Sequence, residues 1–245
     1  MQRVIDFFVT NFPSLRLAAI GGPPSLLWAL LCLLFAGWLK RRWAVKTGYT
    51  RKVFHFLIFF SAAGLHAAWG SRAVCLFGVA TTLVVFYAVA RGRGHILYEA
   101  MAREKDEPRR SYYVVLPYFA TLFGGLASNI LFGPVALVGY LVAGCGDAIG
   151  EPVGTRFGKH TYRVPSVRSV TAVRSYEGSA AVFVVSTLAL LVGLVLLPGA
   201  DVQASALLLV PLIGLACAFA EAVSPHGWDN ATMQLVPAFF VHLVW

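Results

Sequence analysis

Asp147 closes one apolar run, Glu177 opens the next, and Glu221 with Asp229 and Asn230 stands at and beyond the end of a third. Carboxylate and amide oxygens are hard ligands of the kind Mg²⁺ takes. The Lys and Arg side chains in excess around them are cations of the kind that hold phosphate oxygens. Acids in the company of a cationic excess point to a divalent ion handling phosphates. Plainer roles compete at two of these positions. Asp147 is also placed to pair with a nearby arginine, and Glu177 to favour the positive N-terminal end of a helix.

The stretch 144-GCGDAIGEPVGTRFGKH-160 repeats glycine every four residues, at Gly146, Gly150, Gly154 and Gly158. On a helix that spacing makes one smooth face for close packing. Pro152 interrupts the pattern, because proline disrupts a helix interior and biases Glu151 away from helical angles. Packing is therefore expected of Gly146 and Gly150, and a turn presenting backbone N–H groups to an anion of Gly154 and Gly158. The segment 154-GTRFGKHT-161 is not a Walker motif: three residues separate its glycines, and His160 follows Lys159 where Ser or Thr belongs. In 51-RKVFHF-56, Arg51 and His55 are one helical turn apart, beside Lys52. No histidine pair has zinc-ligand spacing, and no G-x-S-x-G serine hydrolase elbow occurs.

The elements that must position these residues are membrane helices. Only 13% of the 245 residues are charged, 58% are apolar and the mean hydropathy is +0.73, against about 25% charged in a soluble domain. Apolar runs at 24–39, 53–70, 73–90, 112–128, 130–148, 178–197, 202–222 and 231–245 predict an all-α polytopic bundle of seven or eight transmembrane helices, forming a single membrane domain over 1–245. Pro23 and Pro24 are expected to shorten the first helix. Residues 1–17 read as a retained amphipathic lead-in. The four cysteines lie in apolar runs without C-x-x-C spacing and read as packing residues. The net charge of +9 is not a nucleic-acid signature, because of the 20 Lys and Arg all but Arg3, Arg16 and Arg72 fall in the first, third and fifth connections. Alternate basic connections follow the positive-inside rule, which puts them in the cytoplasm and the N-terminus outside. Two of them, 91–111 and 149–177, are long enough to expect function there.

Four ordered motifs then resemble one family. They are RKxxH (Arg51, Lys52, His55), GD with a glycine-rich segment ending in FGK (Gly146, Asp147, Gly154, Phe157, Gly158, Lys159), basic-Ser-x-Glu-Gly-Ser (Arg174, Ser175, Glu177, Gly178, Ser179) and E…P…DN…P (Glu221, Pro225, Asp229, Asn230, Pro237). In this order they are similar to the dolichol kinase, phytol kinase and CTP-dependent diacylglycerol kinase family, itself distantly similar to CDP-diacylglycerol synthases. The chain departs from that pattern at Arg174, commonly Lys, at Trp228, often Asp, and at Glu151, Asp in many phytol kinases. The resemblance implies transfer of the γ-phosphoryl group of CTP to the hydroxyl of a membrane lipid alcohol, a polyprenol, phytol or diacylglycerol. It implies Mg²⁺ on Asp147, with Glu177 and Asp229 as further ligands or as base. It implies phosphate or nucleotide contacts from Arg51, Lys52, His55, Gly154, Gly158, Lys159, Arg174, Ser175, Gly178 and Asn230. A cytidylyltransferase acting on a lipid phosphate is the competing enzyme reading, and a transporter the non-enzymatic one.

Overall fold

The computed structural model describes residues 2–164, 172–197, 207–225 and 227–244. Arg168, the first residues of the run at 202–222 and Trp245 lie outside the described residues. Among the described residues the chain is all-α apart from one two-stranded hairpin, and it divides into two compact units, Met1–Val114 and Val115–Trp245.

The first unit contains α1 (Gln2–Asn11), α2 (Leu15–Trp43), α3 (Thr47–Trp69) and α4 (Ser71–Arg91). Ser14 caps α2 by accepting from the Leu17 N–H at 3.3 Å, the bond that satisfies an otherwise orphan donor at a helix start. Gly70 and Gly92 end α3 and α4 with φ of +74° and +69°, angles an L side chain rarely adopts. The prolines do not shorten α2: the helix runs through Pro23 and Pro24 from Leu15. Prolines are tolerated in membrane helices where neighbouring groups and local adjustments re-satisfy the freed backbone.

The connection after α4 is a packed cap rather than an open loop. A short helix, α5 (Ile96–Glu99), lies against α2, where a Cβ on Gly37 would come within 2.7 Å of the Ile96 carbonyl oxygen. Leu97, Tyr98, Ala100, Met101 and Ala102 are buried. Every acid of this cap meets a base: Glu99 meets Arg110 at 2.6 Å, Glu104 meets Lys40 at 2.6 Å, Asp106 meets Arg103 at 2.9 Å and Glu107 meets Arg93 at 2.7 Å. Partial burial tends to raise the Glu99 and Glu104 pKa values, but Arg110 and the Gly94 N–H on Glu99, and Lys40 and Thr47 on Glu104, hold both carboxyls below their ordinary value.

Most of α6 (Tyr112–Phe132) belongs to the second unit, followed by α7 (Ala136–Val142), a π-helical turn (Ala143–Asp147) and α8 (Ala148–Phe157). Tyr112–Phe157 is one apolar run of 46 residues, about twice the ~20 residues that cross a bilayer. It folds back on itself: the Asn129 amide donates to the Tyr140 hydroxyl, two positions that a straight helix would hold about 16 Å apart. The reversal lies at Gly133–Val135, where Gly133 has φ of +55° and Pro134 follows. The hairpin, β1 (Thr161–Val164) and β2 (Ala172–Ser175), leads into α9 (Tyr176–Leu196), and α10 (Val210–Val223) and α11 (Asp229–Val244) complete the unit. The helix α9 packs against α7, α8 and α10, while α11 packs against α7 and α10.

Among the described residues, five helical runs are long and apolar enough to cross a membrane, counting Tyr112–Phe157 as one, with Val210–Val223 a shorter apolar helix.

Candidate metal and phosphate site

The π-helical turn ends on Asp147, and such turns, one residue wider than the α-helix around them, recur at functional sites. Asp147 is 3% exposed, Glu221 on the last turn of α10 is 7% exposed, and Asp229, the first residue of α11, is half-buried. One carboxylate oxygen from each lies within 4.8 Å of the others. Three hard oxygens at that separation match the donor chemistry of Mg²⁺ or Ca²⁺, with a slight contraction needed for the ~3–4 Å between ligands of one octahedral Mg²⁺.

Arg174 enters this cluster from β2, whose register opposite β1 pairs it with Tyr162. Its Nε donates to Glu221 Oε1 at 3.0 Å and its Nη2 to Asp229 Oδ2 at 2.9 Å. The third guanidinium nitrogen, Nη1, is buried and has no hydrogen-bond partner. Asp229 Oδ1 accepts from the Asn230 N–H at 3.1 Å, which fixes the carboxylate at the N-terminus of α11. One guanidinium thus joins two of three crowded carboxylates and keeps one donor unspent.

Asp147, Asp229 and Arg174, all singled out in the sequence, therefore meet. Glu177 does not join them. Its carboxylate accepts from His160 Nδ1 at 2.8 Å and faces the His160 N–H, tying the end of α8 to the first turn of α9. Glu221 takes the third place instead; its position at a helix end beside Asp229 is the signal that marks it. Ser175 caps α9, accepting from the Gly178 N–H at 3.1 Å. The Asn230 amide is turned away from the acids and donates to the Pro117 carbonyl at 3.1 Å and to Thr121 Oγ1 at 2.8 Å, pinning α11 to α6. Lys159 is exposed.

The expected anion-holding turn at Gly154 and Gly158 is replaced by helix. α8 continues through Pro152 to Phe157, and the Gly158 N–H is spent on the Gly154 carbonyl at 3.0 Å. Pro152 stands inside α8, with four residues between it and the end of the π turn. The glycines serve packing throughout. A Cβ on Gly146 would strike Ser186 Oγ, one on Gly150 would lie 2.9 Å from Val182, one on Gly154 would lie 2.9 Å from Ser175 Oγ, and one on Gly178 would lie 2.9 Å from the Gly150 carbonyl. The backbones of α8 and α9 approach closely because none of these positions carries a side chain.

Arg51, Lys52 and His55 lie on the first turns of α3 in the first unit; Lys52 is buried and the other two are half-buried, with the His55 ring 4.5 Å from Phe59. Comparison of the chain with protein-family models, with curated proteins and with solved structures finds no match.

Proposed function

We propose that the chain is a membrane lipid kinase, transferring the γ-phosphoryl group of a nucleoside triphosphate, CTP by the motif resemblance, to the hydroxyl of a lipid alcohol. The observation that carries the reading is the convergence of Asp147, Glu221 and Asp229 from three separate elements, with Arg174 from a fourth joining Glu221 and Asp229. Asp147, Glu221 and Asp229 would hold Mg²⁺, which would supply neutralisation of phosphate charge. Arg174 presents its free Nη1 to a phosphate oxygen while its other nitrogens keep Glu221 and Asp229 in place. Phosphoryl transfer needs positioning and charge neutralisation more than covalent chemistry, and this set of groups provides both. The lipid oxygen bonds to the γ-phosphorus, the bond to the β-phosphate oxygen breaks, and the hydroxyl proton passes to a carboxylate of the trio.

The same reading makes the chain an eight-pass protein: α2, α3, α4, α6, the α7–α8 arm, α9, α10 and α11 each cross once. The basic connections then face the cytoplasm, where a water-soluble nucleotide meets a hydroxyl whose tail stays in the bilayer. Incubating the purified protein with labelled CTP, Mg²⁺ and a panel of polyprenols, phytol and diacylglycerol tests the proposal. Labelled lipid phosphate and released CDP are expected; pyrophosphate release on a lipid phosphate would assign the cytidylyl-transfer reading instead, and no labelled lipid with any nucleotide would overturn both.

A further inference from the structure

The first unit carries a second concentration of charge, at the end where α2 and α4 finish. Between residues 40 and 114 the chain has four acids, Glu99, Glu104, Asp106 and Glu107. All four are taken up inside the cap by Lys40, Arg93, Arg103 and Arg110, at 2.6 to 2.9 Å. Among the cations left over are Arg41 and Arg42 on the last turn of α2, Lys46 just before α3 and Arg91 on the last turn of α4. They are exposed and make no ion pair among the described residues. The helices α2, α3 and α4 follow one another through short connections, so α2 and α4 run in the same direction, and Ile96 just after α4 packs on Gly37 near the end of α2. Internal pairing has therefore removed every negative group that would oppose these four.

The same end of α2 presents a ladder of exposed aromatics. Phe35 and Trp38 stack at 6.1 Å, and Trp38 meets Trp43 edge-on at 4.8 Å. Trp38 and Trp43 are 44% and 60% exposed. Tryptophan so placed on a membrane-spanning helix marks headgroup depth. Arg41 and Arg42 are flanked in sequence by those two rings.

We propose that this face, formed by Arg41, Arg42, Lys46 and Arg91 above the Trp38–Trp43 ladder, docks anionic phospholipid headgroups of the surrounding leaflet. A general inward bias of positive charge accounts for cations in this connection. It does not account for the consumption of all four acids by partners inside the cap, which leaves a surface of one sign at headgroup depth. Each basic residue near an anionic surface adds about five-fold to the preference for it. The interaction is independent of the carboxylate site and needs no nucleotide.

The test uses the full chain in nanodiscs of phosphatidylcholine containing a minority of phosphatidylglycerol, followed by mild detergent extraction and mass measurement of the lipid that stays bound. The parent is expected to retain phosphatidylglycerol over phosphatidylcholine. The Arg41→Gln/Arg42→Gln double variant is expected to lose roughly 10-fold or more of that preference, while Arg41→Lys/Arg42→Lys keeps most of it and Arg163→Gln, an exposed cation of the hairpin, leaves it unchanged. High salt on the parent is expected to reproduce the loss without any substitution. Equal retention of the two lipids by the parent, an unaltered preference in the Gln double variant, or displacement of the lipid by millimolar inorganic phosphate would each overturn the proposal, the last by making the face a site for soluble anions.

Discussion

The cap on the first unit and the carboxylate cluster of the second are built from the same residue types and differ in how charges are matched. In the cap, Glu99, Glu104, Asp106 and Glu107 each have a base within 2.9 Å, and the buried Arg103–Asp106 pair is three residues apart in one turn. In the cluster, Asp147, Glu221 and Asp229 bring oxygens within 4.8 Å of one another, with one guanidinium joining two of them. Like charges brought that close raise one another's cost of ionisation. On the proposed function, a bound cation would offset that cost in the cluster, whereas the cap offsets it with its own bases. Matching, rather than the mere presence of acids and bases, separates a brace from a site.

Substitutions that spare charge matching in one region and break it in the other test the contrast. The largest effect is expected at the cluster: Asp147→Asn, Glu221→Gln or Asp229→Asn should each lower lipid phosphorylation by about 100-fold or more, some 3 kcal/mol of barrier, with insertion and thermal midpoint nearly unchanged. Glu177→Gln should lower it far less, since Glu177 braces His160 and stands apart from the trio. A Glu177 variant as inactive as the Asp147 variant would return the metal to the sequence-predicted set. In the cap the order reverses. Arg103→Ala leaves Asp106 buried without its partner, an expected loss of about 3–5 kcal/mol, read as a fall in thermal midpoint followed by tryptophan fluorescence.

Packing between α8 and α9 comes next. Gly150→Leu must push against Val182, already 2.9 Å from where a Cβ would stand, and overpacking of this kind costs about 1–3 kcal/mol. The smallest effect is a pH dependence of the cap. Because Glu99 and Glu104 are held below their ordinary value in the folded chain, their contribution is fully present above that value and fades only as pH falls through the depressed one. Cap protection in hydrogen exchange should therefore persist into acid before it is lost. Protection that faded already around the ordinary carboxylate value would mean that Arg110 and Lys40 do not hold these groups.

Much of this architecture is legible in the sequence because hydropathy is a local property. The runs at 112–128 and 130–148 become the two arms of one continuous helical stretch, and Asp147 stands out as an acid at the end of an apolar run. The choice between Glu177 and Glu221 is not local. Both stand at helix ends beside basic or amide residues, and the packing of α10 against α9 and α11 decides which one reaches Asp147. Gly154 and Gly158 mislead for a related reason: Pro152 is a strong local breaker, but α8 runs through it to Phe157, and the glycines pack against Ser175. Lys159, Ser175, Gly178 and Asn230 belong to motifs that read as phosphate contacts, yet in the folded chain Ser175 caps α9 through the Gly178 N–H, and Asn230 anchors α11.

The π turn at Ala143–Asp147 also sets a counting rule for the chain. A π turn is an α-helix holding one residue more than the ladder needs. Removing a single residue from it would restore a regular helix and rotate everything on one side against the other by about 100°. Asp147 would leave the trio, or else Gly150 and Gly154 would leave the α9 groove. Both alignments, the acid on its partners and the glycines on theirs, hold at once only because of that surplus residue. The number of residues between Val142 and Ala148 thus bears on the site as directly as the side chains there, in a way that a residue-by-residue substitution scan would not reveal.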